Sequence, residues 1–474
     1  MSSLSLPARI PSPAISTAKK RVAKLTLWPL VAATFFMVSG GTYGTEEIIH
    51  GAGYGHGILI LLFLPVLWCL PTAFMIGELS SSLPAEGGYY AWVRRGLGNL
   101  WGFQEAWLSL AASIFDMAIY PTLFVIYLKQ MSPWFGTWGH GVLAGLFVVV
   151  TCTILNVAGV RVVGITSLWL FFLLSAPFAV IVVMAPFKAG AFAGASGSSP
   201  AEATSLSLIG GVLVAMWNYM GWDNASTVAQ EVERPQRTYP RAMIAAVVLV
   251  TITYVLPFLA VRLAGIPSSA FEAEGAWATV AGLVGGKILG IEWLRVLIVM
   301  GGMMSAFGMF NALVMSYSRL PLAMARDGML PKIFAKTSEK TQAPWVAILA
   351  CAGCWALCLG LKFEKLVTLD IMLYGASLML EFVTLVVLRI REPELKRGFR
   401  VPGGLVGAVM VGVFPLLLMS LALVKSGSET VLGINGMVFG GMIIAGGFVL
   451  YAATKPLRRS VIDAAATPNA VTGD

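Results

Sequence analysis

Charge is scarce in this chain. Only 12% of its 474 residues are Asp, Glu, Lys or Arg, about half the share of an ordinary soluble domain. Mean hydropathy is +0.82. Exposing so much apolar surface to water would drive aggregation, so the solvent is largely lipid. Histidine is nearly missing, with only His50, His56 and His140 present, and no zinc spacing joins them. Cysteine is limited to Cys69, Cys152, Cys351, Cys354 and Cys358, all in apolar runs. The last three have no partner pair and lie inside one apolar segment, so they read as small packing residues and no metal is expected. A cleavable leader is missing too. The polar stretch 1–24 precedes an apolar run that is too long and has no small-residue cleavage pattern. It reads as a disordered cytoplasmic tail before a first spanning helix. No catalytic constellation is visible, which argues against an enzyme, and no cofactor is expected.

Length is what the chain has. A spanning helix takes roughly 20 residues, and apolar segments fall at 27–50, 57–78, 99–128, 137–158, 162–186, 206–229, 240–264, 290–318, 345–361, 366–389, 405–424 and 433–453. The reading is an all-α membrane protein with twelve transmembrane helices and a permease domain over 25–453. A cytoplasmic tail follows over 454–474. The net charge of +9 suggests nucleic acid until the charges are located. With the N-terminus inside, 24 of the 32 basic residues fall on cytoplasmic tails and loops, among them Arg94, Arg95, Arg161, Arg234, Arg319 and Arg397. Eight fall outside, including Lys129, Lys188 and Lys362. This bias sets the orientation, with both termini cytoplasmic in a cell inner membrane. It accounts for the charge without nucleic acid, leaving membrane lipid as the surrounding partner. No obligate protein partner is evident.

No lysine or arginine stands near the middle of any segment, but carboxylates do. The first segment carries Gly40, Gly41, Tyr43 and Gly44 near its centre, followed by Glu46 and Glu47. Glycine permits non-helical dihedrals, and a broken helix is tolerated in lipid only against protein or a water-filled cavity. A glycine packing face beside interfacial glutamates is the plainer alternative. The sixth segment has a second polar interruption at Trp217, Asn218, Tyr219, Gly221, Trp222, Asp223 and Asn224, for which a polar helix contact is the alternative. Five helices separate the two interruptions, and an odd number inverts orientation. Two inverted five-helix repeats, over 25–186 and 206–389, are therefore expected around a central site. The helices at 405–453 stand outside them.

Further carboxylates sit at Glu78, Glu105 and Asp116, and at Asp370 and Glu381 with Tyr374 between them. Unpaired buried carboxylates tend to the neutral form and suit proton carriage or pairing with a cationic substrate. Proton-coupling candidates are Glu46, Asp116, Asp223 and Glu381. Tyr43, Trp217, Tyr219 and Trp222 offer aromatic walls to an amine. An amino acid would place its carboxylate on amides freed near Gly40, Gly41 and Gly44. A polyamine would instead pair with Glu46 or Glu47 and with Asp223 or Asp116.

These residues resemble the amino acid–polyamine–organocation permeases. Gly40-Gly-Thr-Tyr-Gly44 is similar to their first-helix break. Glu231-Val-Glu-Arg-Pro-Gln-Arg-Thr-Tyr-Pro-Arg241 is similar to the loop after their sixth helix. Arg319-Leu-Pro-Leu-Ala-Met-Ala-Arg-Asp-Gly-Met-Leu-Pro331 is similar to the motif after their eighth. Ser39 to Glu47 and Trp217 to Thr227 look like the polyamine-uptake and cationic amino acid branch. Thr42 replaces a proline of the plant pattern, and Met220-Gly221 replaces a bulky pair. The fifth-helix lysine of many members is missing around Leu174 and Ser175.

The resemblance implies a LeuT-like fold of five-plus-five inverted repeats plus two C-terminal helices, with helices 1 and 6 broken. It implies secondary uptake of polyamines or cationic amino acids, usually with protons. Two further readings stay open: a neutral or broad amino acid symporter or exchanger, and, more distantly, a non-transporting sensor. A sensor has little support, since the tails of about 20–25 residues hold no regulatory domain.

Overall fold

The first apolar segment divides in two. Helix α1 (Leu27–Val38) is apolar along its whole length and stops at Ser39, whose backbone is extended. Residues 39–45 form a break, and α2 (Glu46–Leu64) begins beyond it. The connector expected at 51–56 falls on a kink inside α2. Gly53, at φ +66° and ψ 173°, is non-helical, and two helical stretches meet there. Ile48, Ile49, Ile58 and Leu61 are buried on either side, and their packing offsets the poor helix propensity of the glycines between them. A π-turn at Pro65–Cys69 leads into α3 (Leu70–Ser82).

The structure is a computed structural model that describes residues 26–85, 87–158, 165–188, 205–428, 430–431 and 433–456. The expected N-terminal tail, most of the C-terminal tail and the turn around Arg161 lie outside them. After α3 come a short amphipathic helix, α4 (Tyr89–Leu97), and the long α5 (Asn99–Met131). Then follow α6 (Trp138–Val157), α7 (Ile165–Met184) and α8 (Ser205–Asn218). The sixth predicted segment ends as an α-helix at Asn218 and resumes as a 3-10 helix over Trp222–Glu231. The rest of the chain forms α9 (Pro235–Leu263), α10 (Trp277–Gly285), α11 (Trp293–Arg326), α12 (Trp345–Ala356), α13 (Phe363–Arg391), α14 (Gly404–Ser428) and α15 (Gly436–Ala453).

The chain is an all-α, multi-span membrane protein. Among the described residues, eight helices are long and apolar enough to cross a membrane, and Leu27–Val38, Phe172–Lys188 and Trp345–Ala356 are shorter apolar helices. Burial orders them. The most apolar stretch of α5 is 78% buried and that of α15 only 17%, so α5 is the central post and α15 a peripheral one. Helices α11 and α13 pack along α5, while α14 and α15 present Val406, Leu416, Leu417 and Val449 outward, as lipid-facing helices do.

One acidic residue is not where the sequence grouped it. Glu78, at the end of α3, takes no part in a central acidic region. Its carboxylate accepts from Arg389 Nε at 2.9 Å and from the Val401 amide at 2.7 Å, and it pairs with Arg389 Nη2 and with Arg397 at 3.1 Å. Both Glu78 and Arg389 are buried. The ion pair pins α3 to the end of α13. Sequence reading sees only that each lies near a segment end; chain reversal through 392–404 brings them together. At the same end of the bundle, Arg94 pairs with Asp327 and Arg95 with Glu392 at 2.6 Å. Arg95 thereby holds the Glu392 carboxyl below its usual range.

Candidate substrate site

The two breaks face each other. Gly41 and Gly44 have φ of +94° and +82° and Gly221 has +88°, a region that L side chains adopt at a cost. Close approach adds a second demand at Gly221, where a Cβ would stand 2.9 Å from the Met37 carbonyl oxygen. Asn218 Nδ2 reaches the Gly44 carbonyl at 3.4 Å. Freed backbone groups are answered by other helices, as a buried break requires. Ser305 Oγ of α11 donates to Gly40 O at 2.5 Å and Tyr254 OH of α9 to Asn218 O at 2.8 Å, while Thr42 Oγ1 of the first break donates to Thr253 O of α9 at 3.0 Å.

Between the breaks lies a small cavity of about 20 Å³, room for about one water. Of the residues singled out from sequence, Gly40, Tyr43, Asp116, Trp217, Asn218, Gly221, Asn224 and Tyr374 line it. Asp116 Oδ1 accepts from Tyr120 OH at 3.1 Å and Trp217 Nε1 at 3.3 Å, and Oδ2 from Tyr317 OH at 2.9 Å. Asp223 stands behind the wall, its Oδ1 accepting from Tyr374 OH at 2.6 Å. The Gly221 amide donates to the same Tyr374 oxygen at 3.4 Å. Six aromatic rings, those of Tyr43, Tyr120, Trp217, Tyr254, Tyr317 and Tyr374, surround the space, and among the described residues no lysine or arginine lines it. A buried carboxylate inside an aromatic box suits an ammonium group.

Gly44, Glu46 and Glu47 line a narrow crevice beside the cavity, with Leu123 common to both. Glu46 is committed: Oε2 accepts from the Gly44 amide at 2.9 Å and Oε1 from Tyr127 OH at 3.0 Å. The Gly41 amide donates to Ser39 Oγ at 3.2 Å. Two break amides that could have received a substrate carboxylate are therefore already occupied. Phe363 of α13 closes the crevice and meets the Trp217 ring edge-on at 5.3 Å. Beyond Phe363 lies a wider cavity of about 340 Å³, lined by Lys129, Glu274 and Trp138 among others.

Two aromatic residues of the sixth segment stand apart from the cavity. Tyr219 turns its OH to Leu61 O at 2.9 Å, and Trp222 Nε1 donates to Tyr219 O at 2.7 Å. Both are fully buried supports of the second break. Glu381 lies deeper along α13, within electrostatic reach of Asp223 and Glu105. Sequence reasoning missed Tyr120, Tyr254, Ser305 and Tyr317. Tyr120 had a signal, since it follows Asp116 by one helical turn. Tyr317 comes from α11 and had none. Among the described residues no group of His, Cys, Asp and Glu is arranged to hold a metal ion.

A family model described as amino acid permease matches residues 31–450. Polyamine transporter RMV1 of Arabidopsis thaliana is 34% identical over 411 residues, covering 86% of this chain and 82% of its own. Polyamine transporter PUT1 of Oryza sativa subsp. japonica is 33% identical over 426 residues, covering 89% and 77%. The serine/threonine exchanger SteT of Bacillus subtilis (strain 168) is 24% identical over 394 residues, covering 81% and 86%. With a family match over nearly all the spanning region and relatives a third identical along most of their length, the chain belongs to the amino acid permease family.

Proposed function

We propose that the chain is a secondary active transporter that takes up polyamines, or cationic amino acids, by alternating access with proton coupling. Plant relatives named as polyamine transporters support the substrate class. The observation that carries the choice of polyamine is the occupied cradle. Glu46 and Ser39 hold the Gly44 and Gly41 amides, so those amides do not receive a substrate carboxylate. Asp116 and the aromatic box remain to bind one ammonium, and the half-buried Glu47 in the crevice the other.

The same reading places twelve helices in two inverted five-helix repeats over 25–186 and 206–389, with two more helices over 405–453. It puts the Arg94–Asp327 end in the cytoplasm of a cell whose inner membrane the protein spans. Paired breaks on α1–α2 and α8, each with positive-φ glycines, support the repeat. The basic bias of one end supports the orientation. Candidate proton carriers are Glu46, Asp116, Asp223 and Glu381.

The test is uptake into proteoliposomes of matched pairs: putrescine against ornithine, cadaverine against lysine, agmatine against arginine. Each pair differs by one carboxylate. The diamine is expected to win each pair by about tenfold or more in kcat/KM, about 1.4 kcal/mol or more. Preference for the carboxylated member, or efficient serine uptake, would sink the polyamine reading in favour of an amino acid carrier.

A further inference from the structure

A second buried polar cluster lies between the substrate cavity and the Arg94–Asp327 end. Asp370, Tyr374, Ser377, Glu381 and Thr384 follow one another along α13 at steps of three or four, so they share one helical stripe. The stripe packs on α5. There, Ser377 Oγ donates to Glu105 Oε1 at 2.5 Å and stands 2.8 Å from Ser109 Oγ. Glu105 and Glu381 are 0% and 1% exposed. Glu105 Oε2, Glu381 Oε2 and Thr384 Oγ1 are buried without a hydrogen-bond partner. The titratable groups facing the pair are Asp223, Tyr89 of α4 and Tyr374. Among the described residues no lysine or arginine joins them, and α7 contributes no lysine.

Ionising both would place two charges in a buried site with two oxygens lacking partners. Desolvation and mutual repulsion add, and no cation compensates them. A proton on one member removes a charge and turns one orphaned acceptor oxygen into a donor. The cluster also touches both ends of a route. Tyr374 lines the substrate cavity and bonds Asp223. At the far end, Thr384 packs so tightly on Gly96 of α4 that a Cβ there would come within 2.9 Å of its Cγ2.

We propose that Glu105 and Glu381 are the proton store of the transport cycle, separate from the substrate cavity and linked to it by Tyr374 and Asp223. The proposal rests on the proton-coupled reading above. When the pair is fully protonated it is neutral. On release, one carboxyl O–H breaks, an O–H forms on a water molecule beyond Thr384, and a monoanion remains. Substrate and proton thus leave by different paths, the amine between the breaks and the proton along the α5–α13 seam.

The test uses the full chain in proteoliposomes with radiolabelled putrescine and an internal pH dye. Three quantities are read: exchange at equal pH, accumulation under an inward proton gradient, and proton influx on adding putrescine. E105Q is expected to keep exchange within about twofold of wild type and to lose accumulation and proton influx by about tenfold or more. E381Q is expected to behave alike and carries the test if E105Q fails to fold. Accumulation and proton influx that survive in either folded variant overturn the proposal, as does loss of exchange together with accumulation. A third reading needs no transport. Infrared spectra of the wild type should show a protonated carboxyl C=O band at neutral pH that shifts in S377A, where the Glu105 hydrogen bond is lost. No such band, or one indifferent to S377A, overturns the store. A wild type that moves no putrescine but keeps that band would defeat the function proposed above and leave the store standing.

Discussion

At the scale of the residue, the site turns on what each carboxylate is already bonded to. Asp116 has three neutral donors and, among the described residues, no cation, so its charge is left for the substrate to answer. Asp116→Asn keeps the shape and removes the charge. The apparent KM for putrescine is expected to rise about tenfold to a hundredfold, about 1.4–2.8 kcal/mol. Tyr317→Phe removes one donor and is expected to cost about 1 kcal/mol, several-fold in KM. An initial-rate series on reconstituted protein checks both, and equal effects of the two would refute a primary charge role for Asp116. Glu46 has the opposite character, its oxygens spent on the Gly44 amide and Tyr127. Adjacent Glu46 and Glu47 look alike in sequence. Their difference arises because one sits at the first turn of α2 against Tyr127 and the other opens to the crevice.

At the scale of the element, the breaks depend on glycine for two separable reasons. Gly53 has φ +66° and nothing within 4 Å of a would-be Cβ, whereas Gly221 has φ +88° and the Met37 carbonyl at 2.9 Å. Gly53→Ala should carry only the cost of a side chain at φ +66° and ψ 173°, about 1–3 kcal/mol. Gly221→Ala should carry a positive-φ cost plus displacement of backbone on α1. A larger fall in melting temperature is therefore expected for Gly221→Ala, with transport abolished in that variant and retained in Gly53→Ala. Thermal unfolding in detergent with parallel uptake assays decides it, and equal melting shifts would contradict the close-approach argument. The interruption at 39–45 was legible because glycines and polar residues fall inside an apolar run. The kink at Gly53 was legible as well, because glycines and a histidine separate two apolar runs there.

At the scale of the whole molecule, one end is stitched by ion pairs. Glu78, Arg389 and Arg397 form the buried part, and Arg94–Asp327 and Arg95–Glu392 the exposed part. Breaking a buried pair strands a charge and costs about 3–5 kcal/mol, while exposed pairs contribute about 1 kcal/mol or less. Glu78→Gln should therefore lower the melting temperature far more than Asp327→Asn. Adding Arg389→Met to Glu78→Gln should recover part of the loss. No recovery in the double variant would show that Glu78 acts on stability by another route.

Sequence by itself determined the solvent, the helices, the places where two of them fail, and the acidic character of what lies inside. Hydropathy, helix length and glycine chemistry are local properties, and they are written in order along the chain. Tertiary structure alone decided which acids meet the substrate cavity. Asp116 lines it and accepts from Trp217 and Tyr317, Glu46 is held by the Gly44 amide and Tyr127, Glu78 is neutralised by arginines more than three hundred residues away, and Glu105 and Glu381 lie within electrostatic reach of each other. The physical reason is that a carboxylate's role is set by the donors and cations it meets once buried, and those arrive from helices remote in sequence.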